Sequence, residues 1–167
     1  MSLLDVLEYR PKFVPLNYDG CDVNRYKGRS FEEIRAICHR YNIKDYSINE
    51  DGSIDVDGMV DLRDNGLTEL PLQFGNVTGS FYCSINQLST LEGSPQKVGR
   101  QFYCDYNWLT TLEGSPQSVG WDFYCDYNKL TTLQYAPQTV GRRFCCSNNP
   151  DLSEKEINDY KKRIGKK

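Results

Sequence analysis

From Phe81 onward one pattern of apolar and polar positions recurs every 21 residues. Phe81, Phe102, Phe123 and Phe144 open the copies, and Cys83, Cys104, Cys125 and Cys146 hold the third position. Asn86, Asn107, Asn128 and Asn149 hold the sixth, Leu88, Leu109 and Leu130 the eighth, and Leu91, Leu112 and Leu133 the eleventh. One period earlier, Val60, Leu62, Asn65, Leu67 and Leu70 repeat the pattern with aliphatics for Phe and Cys, which makes five rungs. Alternation at the start of each copy predicts a short strand with its first and third residues inward and its second and fourth outward. Such a strand cannot bury its apolar side alone, so the rungs must stack and share one continuous core.

The spacing apolar-x-apolar-x-x-Asn-x-Leu-x-x-Leu, at a period between about 20 and 29 residues, is a leucine-rich-repeat pattern. The expected fold is therefore an α+β solenoid over residues 54–152, with five 21-residue rungs and parallel strands on its concave face. Residues 1–53 form an N-terminal helical and irregular region, with a short opening helix near Leu3 to Glu8. Ser30 and Glu33 make a capping box, and Phe31, Ile34, Ile37, Cys38 and Tyr41 recur at helical spacing, which predicts a capping helix over 31–41. Tyr46, Ile48, Ile54 and Val56 alternate around Asp51-Gly52, the pattern of a tight hairpin. Residues 153–167 predict a second capping helix, opened by a capping box of Ser153 and Glu156 and a staple of Leu152 on Ile157.

Leu91-Glu92-Gly93-Ser94-Pro95-Gln96-Lys97-Val98-Gly99 returns as Leu112-Glu113-Gly114-Ser115-Pro116-Gln117-Ser118-Val119-Gly120. These segments resemble the short bacterial-type leucine-rich repeats, and among them the L-x-x-L-E-G-x-P-x-x-V-G-x-x-F-x-C repeats of tailed bacteriophage proteins. The resemblance runs from about Ile54 to the C-terminus. It implies a fold and a phage or prophage source, and little about activity, because such repeats carry many unrelated binding functions. The chain departs from the pattern at Gln134-Tyr135-Ala136, at Cys145 and at Pro71, toward the ends of the stack.

Charge and composition narrow the function. A net charge of -3 with a pI near 5.2 gives no basic footprint for nucleic acid, and no apolar run is long enough for a membrane span. A cytoplasmic location is expected. Four of the seven cysteines occupy one inward position, which argues for buried thiols packed as small apolar groups. One histidine leaves no zinc-type spacing. Ser53, Asp55, Asp57, Gly58, Asp61 and Asp64 mimic a calcium loop, but strand flanks and Asp at the twelfth position favour an acidic outer face. No cofactor, metal or catalytic set is expected.

The candidate site is the outer face of the strands. Tyr82, Tyr103 and Tyr124 share the second position, Asp105 and Asp126 the fourth, and Tyr106 and Tyr127 the fifth. The two tryptophans, Trp108 and Trp121, stand where other rungs carry Gln, Lys or Arg. Tyr and Trp are enriched at binding hot spots, so these nine residues are expected to contact another protein bearing a basic and apolar patch. A host protein or defence factor is the expected partner, and self-assembly within a virion the alternative. The strip itself offers roughly 300 Å² against the roughly 800 Å² each partner gives a standard interface, so adjoining loops must contribute.

Overall fold

A computed structural model describes residues 29–166. The opening helix expected near Leu3 to Glu8, and Cys21, lie outside the described residues. The chain winds as a parallel β-solenoid of about four turns with a short helix toward either end. It begins with α1 (Phe31–Arg40) and an antiparallel hairpin of β1 (Tyr46–Ile48) and β2 (Ile54–Val56). It ends in α2 (Glu154–Arg163).

Each turn carries two short strands, where the sequence pattern predicted one. The phenylalanine strands β3 (Val60–Asp61), β5 (Phe81–Tyr82), β7 (Phe102–Tyr103), β9 (Phe123–Tyr124) and β11 (Phe144–Cys145) form a five-stranded parallel sheet. On the return leg, β4 (Phe74–Val77), β6 (Lys97–Val98), β8 (Ser118–Val119) and β10 (Thr139–Val140) extend the hairpin into a six-stranded sheet. Val98, Val119 and Val140 already recur at the repeat period, but beside Pro and Gly the segment reads as a loop. A 21-residue turn has little chain to spare for a helix, so the return leg stays extended and pairs with its neighbours.

Between the sheets lies the column. Phe81, Phe102, Phe123 and Phe144 stack with ring centroids 5.5, 5.2 and 5.5 Å apart. Cys83, Cys104 and Cys125 are fully buried free thiols. Each donates to a main-chain carbonyl of the next rung, Cys83 to Tyr103 at 3.2 Å, Cys104 to Tyr124 and Cys125 to Cys145 at 3.3 Å. Burial pushes all three well above the ordinary thiol value. The sixth-position asparagines are buried straps. Asn107 Nδ2 donates to the carbonyls of Cys83, Cys104 and Asp105 at 3.0, 3.2 and 3.3 Å, and its Oδ1 accepts from Leu88 N at 2.9 Å. Asn128 and Asn149 repeat the arrangement.

Close approach of the return legs depends on Gly99, Gly120 and Gly141. A Cβ at Gly120 would fall on the carbonyl oxygen of Gly99, and one at Gly141 on that of Gly120. These glycines are therefore placed for space, not for turn geometry.

The ends are tied down by polar contacts as well as burial. Ser30 and Glu33 make the full capping box of α1, and Ile34 and Cys38 enter the core. In α2 only half of the expected box forms. Ser153 accepts from Glu156 N at 3.2 Å, but the Glu156 carboxylate accepts from Leu133 N at 2.6 Å and Thr132 Oγ at 2.7 Å. The side chain expected to cap its own helix instead ties that helix to the last rung. Tyr160 completes the closure, its ring 4.4 Å from Phe144 and its hydroxyl donating to Pro137 O at 2.8 Å.

The acidic residues around Ser53 bind neighbouring chain. Asp55 accepts from Asn76 N at 2.6 Å, Asp57 from Thr78 Oγ1 at 2.9 Å, and Asp61 pairs with Arg63 at 2.6 Å.

Candidate protein-binding face

In-register parallel pairing puts like residues above one another, so the outward second position becomes a ladder. Tyr82 and Tyr103 stack at 5.0 Å and Tyr103 and Tyr124 at 4.5 Å, all half-buried. Arg63 covers the free face of Tyr82 at 4.7 Å. Burial, with Tyr124 and Tyr82 on either side, pushes the Tyr103 hydroxyl up to about 12, so it stays a donor. Because ring faces are used within the ladder, what faces outward is ring edges and hydroxyls.

The acidic stripe is partly spent on the fold. Asp105 accepts from Ser84 Oγ at 2.5 Å, and Asp126 accepts from Ser147 N at 2.7 Å. Their residual charge borders the tyrosines, while the Asp61–Arg63 pair closes the N-terminal end of the strip.

Position five holds the least expected feature. Asp64, Ile85, Tyr106, Tyr127 and Asn148 all have left-handed backbone, with φ of 53, 57, 54, 51 and 56°. Asp and Asn visit this region cheaply, whereas for a β-branched residue it is a true outlier. The buried asparagine straps that follow hold the chain in this turn. Yet the strained residues do not use their side chains for the core. Ile85 is 55 % exposed, Tyr106 49 % and Tyr127 47 %. Tyr106 and Tyr127 stack at 4.3 Å, and Trp108, two residues after Tyr106 and 52 % exposed, has Lys129 Nζ 5.6 Å above its ring. Ile85 escaped the sequence reading because one aliphatic in a variable column carries no periodic signal.

Trp121 does not join this group. It lies before β9, at the opposite end of the strand from Tyr127. There it is sandwiched between the guanidinium groups of Arg100 at 5.2 Å and Arg142 at 4.3 Å, from the rungs on either side. The nine sequence-chosen residues thus divide into a central ladder, an apolar end built on Tyr106, Tyr127 and Trp108, and a cationic end built on Trp121. Arg100 and Arg142 occupy the positions where the repeat carries arginine in place of Trp121, and only the folded chain shows that they lie on its ring.

Among the described residues no group of three or more His, Cys, Asp or Glu is placed to hold a metal, and no helix is long and apolar enough to cross a membrane. Cys38, beside the single His39, is buried and pushed up to about 12 by that burial. No protein family, no curated protein and no solved structure matches the chain. What the fold defines is a class, a parallel β-solenoid with helical ends.

Proposed function

We propose that the protein is a non-enzymatic binding module that recognises another protein through the outer face of its phenylalanine-strand sheet. The observation that carries this reading is the strained, exposed group of Ile85, Tyr106 and Tyr127, with exposed Trp108 two residues after Tyr106. A left-handed position costs roughly 1 to 2 kcal/mol for an ordinary residue, and Gly or Asn would adopt it for less. Residues that add strain without entering the core are best accounted for by what they touch outside. Such strain clusters at functional sites.

On the phage-type resemblance, the proposal extends to a leucine-rich-repeat scaffold of five rungs, working in the cytosol of a bacterial host. There it binds, and by occupying a surface inhibits, a host or defence protein with an apolar patch and basic residues opposite Asp105 and Asp126. Single-stranded nucleic acid fits less well. Base stacking needs free ring faces, and the faces of Tyr103 are both covered by neighbouring rings.

Capture from a bacterial lysate by the wild-type chain and by a Tyr106→Ala/Trp108→Ala variant tests the proposal. The expected outcome is one protein retained by the wild type and lost by the variant, with faster dissociation when the pair is purified, since buried aromatic anchors act mainly on the off-rate. Equal retention by both chains would place the site elsewhere. Oligomers of the chain alone that grow with concentration would favour virion assembly instead.

A further inference from the structure

The cationic end of the sheet is built differently from the tyrosine ladder. Arg100, Trp121 and Arg142 occupy the same column in three successive rungs, with Trp121 N donating to Arg100 O and Arg142 N to Trp121 O. The arginines lie on Trp121 at 5.2 and 4.3 Å, and both are exposed. Among the described residues neither guanidinium has a carboxylate or carbonyl partner. Each guanidinium is thus placed over a face of the indole while its N–H donors remain free. That is a preorganised form of the fork that binds carboxylates bidentately. Next to the column Arg143, also exposed, adds a third positive charge and Asp122, which accepts from Arg143 N at 2.9 Å, a negative one, leaving the end net positive.

Geometry limits what can dock. The two guanidinium groups are separated by roughly two strand spacings, about 9.6 Å. A polyproline-type chain rises about 3.1 Å per residue with three residues per turn, which places side chains i and i+3 on one side about 9.3 Å apart. An extended β segment puts i and i+3 on opposite sides.

We propose that Arg100, Trp121 and Arg142 bind an extended acidic segment of a partner protein, with two carboxylates three residues apart straddling the indole. This rests on the protein-binding reading and names the chemistry of one end of that surface. The resulting face is polar along its strands, taking carboxylates at the Trp121 end and apolar, basic groups at the Trp108 end.

The test uses the full chain and synthetic acetyl-Glu-Pro-Pro-Glu-amide, followed by the indole N–H resonances of Trp121 and Trp108. The expected result is a saturable shift of the Trp121 resonance with Trp108 unmoved, abolished in acetyl-Gln-Pro-Pro-Gln-amide. Arg142→Gln, exposed and outside the core, should weaken binding about tenfold, the size expected for a charge-assisted hydrogen bond. A peptide that leaves Trp121 unmoved, or a glutamine peptide that shifts it equally, would overturn the inference. So would a larger shift with oligo-dT than with the glutamate peptide. Those failures would leave Tyr106 and Trp108, and the capture experiment built on them, unaffected.

Discussion

The two sheets follow one period and one pairing rule, yet only one of them carries a stacked aromatic outer surface. On the return sheet the residues beside the inward valines are Lys97, Ser118 and Thr139, one cation and two small hydroxyls with no stacking between them. On the phenylalanine sheet the same relation gives Tyr82, Tyr103 and Tyr124, stacked and half-buried. Parallel pairing therefore tolerates whatever points outward, and the tyrosines are not a requirement of the solenoid. The difference reverses inside the turns. The return sheet depends on the absence of side chains at Gly99, Gly120 and Gly141, whereas the phenylalanine sheet depends on large rings and thiols filling space.

The largest expected effect breaks the interior of the phenylalanine sheet by pH. Native Cys83, Cys104 and Cys125 ionise well above their ordinary value of 9.0 because they are buried. Above that pH the unfolded chain has lost protons the native chain still holds. Stability is then fully present below pH 9 and falls as pH rises, at about 1.4 kcal/mol per pH unit for each thiol. Urea melts at pH 8 and 10 should show a loss of several kcal/mol, reduced in Cys104→Val. A flat profile would mean that the thiols are accessible in the native state.

Gly120→Ala strikes the return sheet. Its methyl group would meet the Gly99 carbonyl, and backbone cannot yield as a side chain can. A loss of about 3 kcal/mol and a melting temperature lower by roughly 6 to 12 °C are expected. The same change at Gly66, where an added Cβ meets nothing but φ is +64°, should cost only about 1 kcal/mol. Similar losses at both sites would show that crowding is not what the glycine column answers.

Asn107→Ala removes a strap that the phenylalanine sheet relies on, in the turn after β7. It leaves Leu88 N and up to three carbonyls without their partner in a buried setting. About 2 to 3 kcal/mol is expected from denaturant unfolding, the cost of orphaned buried polar groups. Restoration by Asn107→Asp would show that the Leu88 contact alone suffices.

How legible these regions were in the sequence follows the same division. Phe, Cys, Asn and Leu recur because each packs in the column that the rungs share, Phe ring on ring and Cys and Asn through the main chain of a neighbouring rung, and periodicity reports such contacts directly. The return strands were hidden, since one valine per turn between Pro and Gly has no alternation to read. The box in α2 was half right because Glu156 had a second suitor, Leu133 N, that only the folded chain brings near. Left-handed φ at Ile85 and Tyr106 is not suggested by either residue type. Asp64 and Asn148 in the same column did carry a hint, being the residues that adopt this conformation most readily.

The smallest expected effect sharpens the comparison at that column. If Ile85 is held in a costly conformation for the sake of its exposed side chain, replacing it should help the fold. Ile85→Asn keeps a side chain while easing the left-handed backbone, as Asn148 already does at the last rung. Unlike Tyr106, Ile85 has no ring stack whose loss would offset the gain. A stabilisation of about 1 kcal/mol is expected in urea melts. In the capture experiment the same variant should retain its partner less well than the wild type. Gain in stability with loss of binding is the signature of a residue kept for contact. A destabilised Ile85→Asn chain would instead mean that the exposed isoleucine packs on its neighbours, and the strain would belong to the fold.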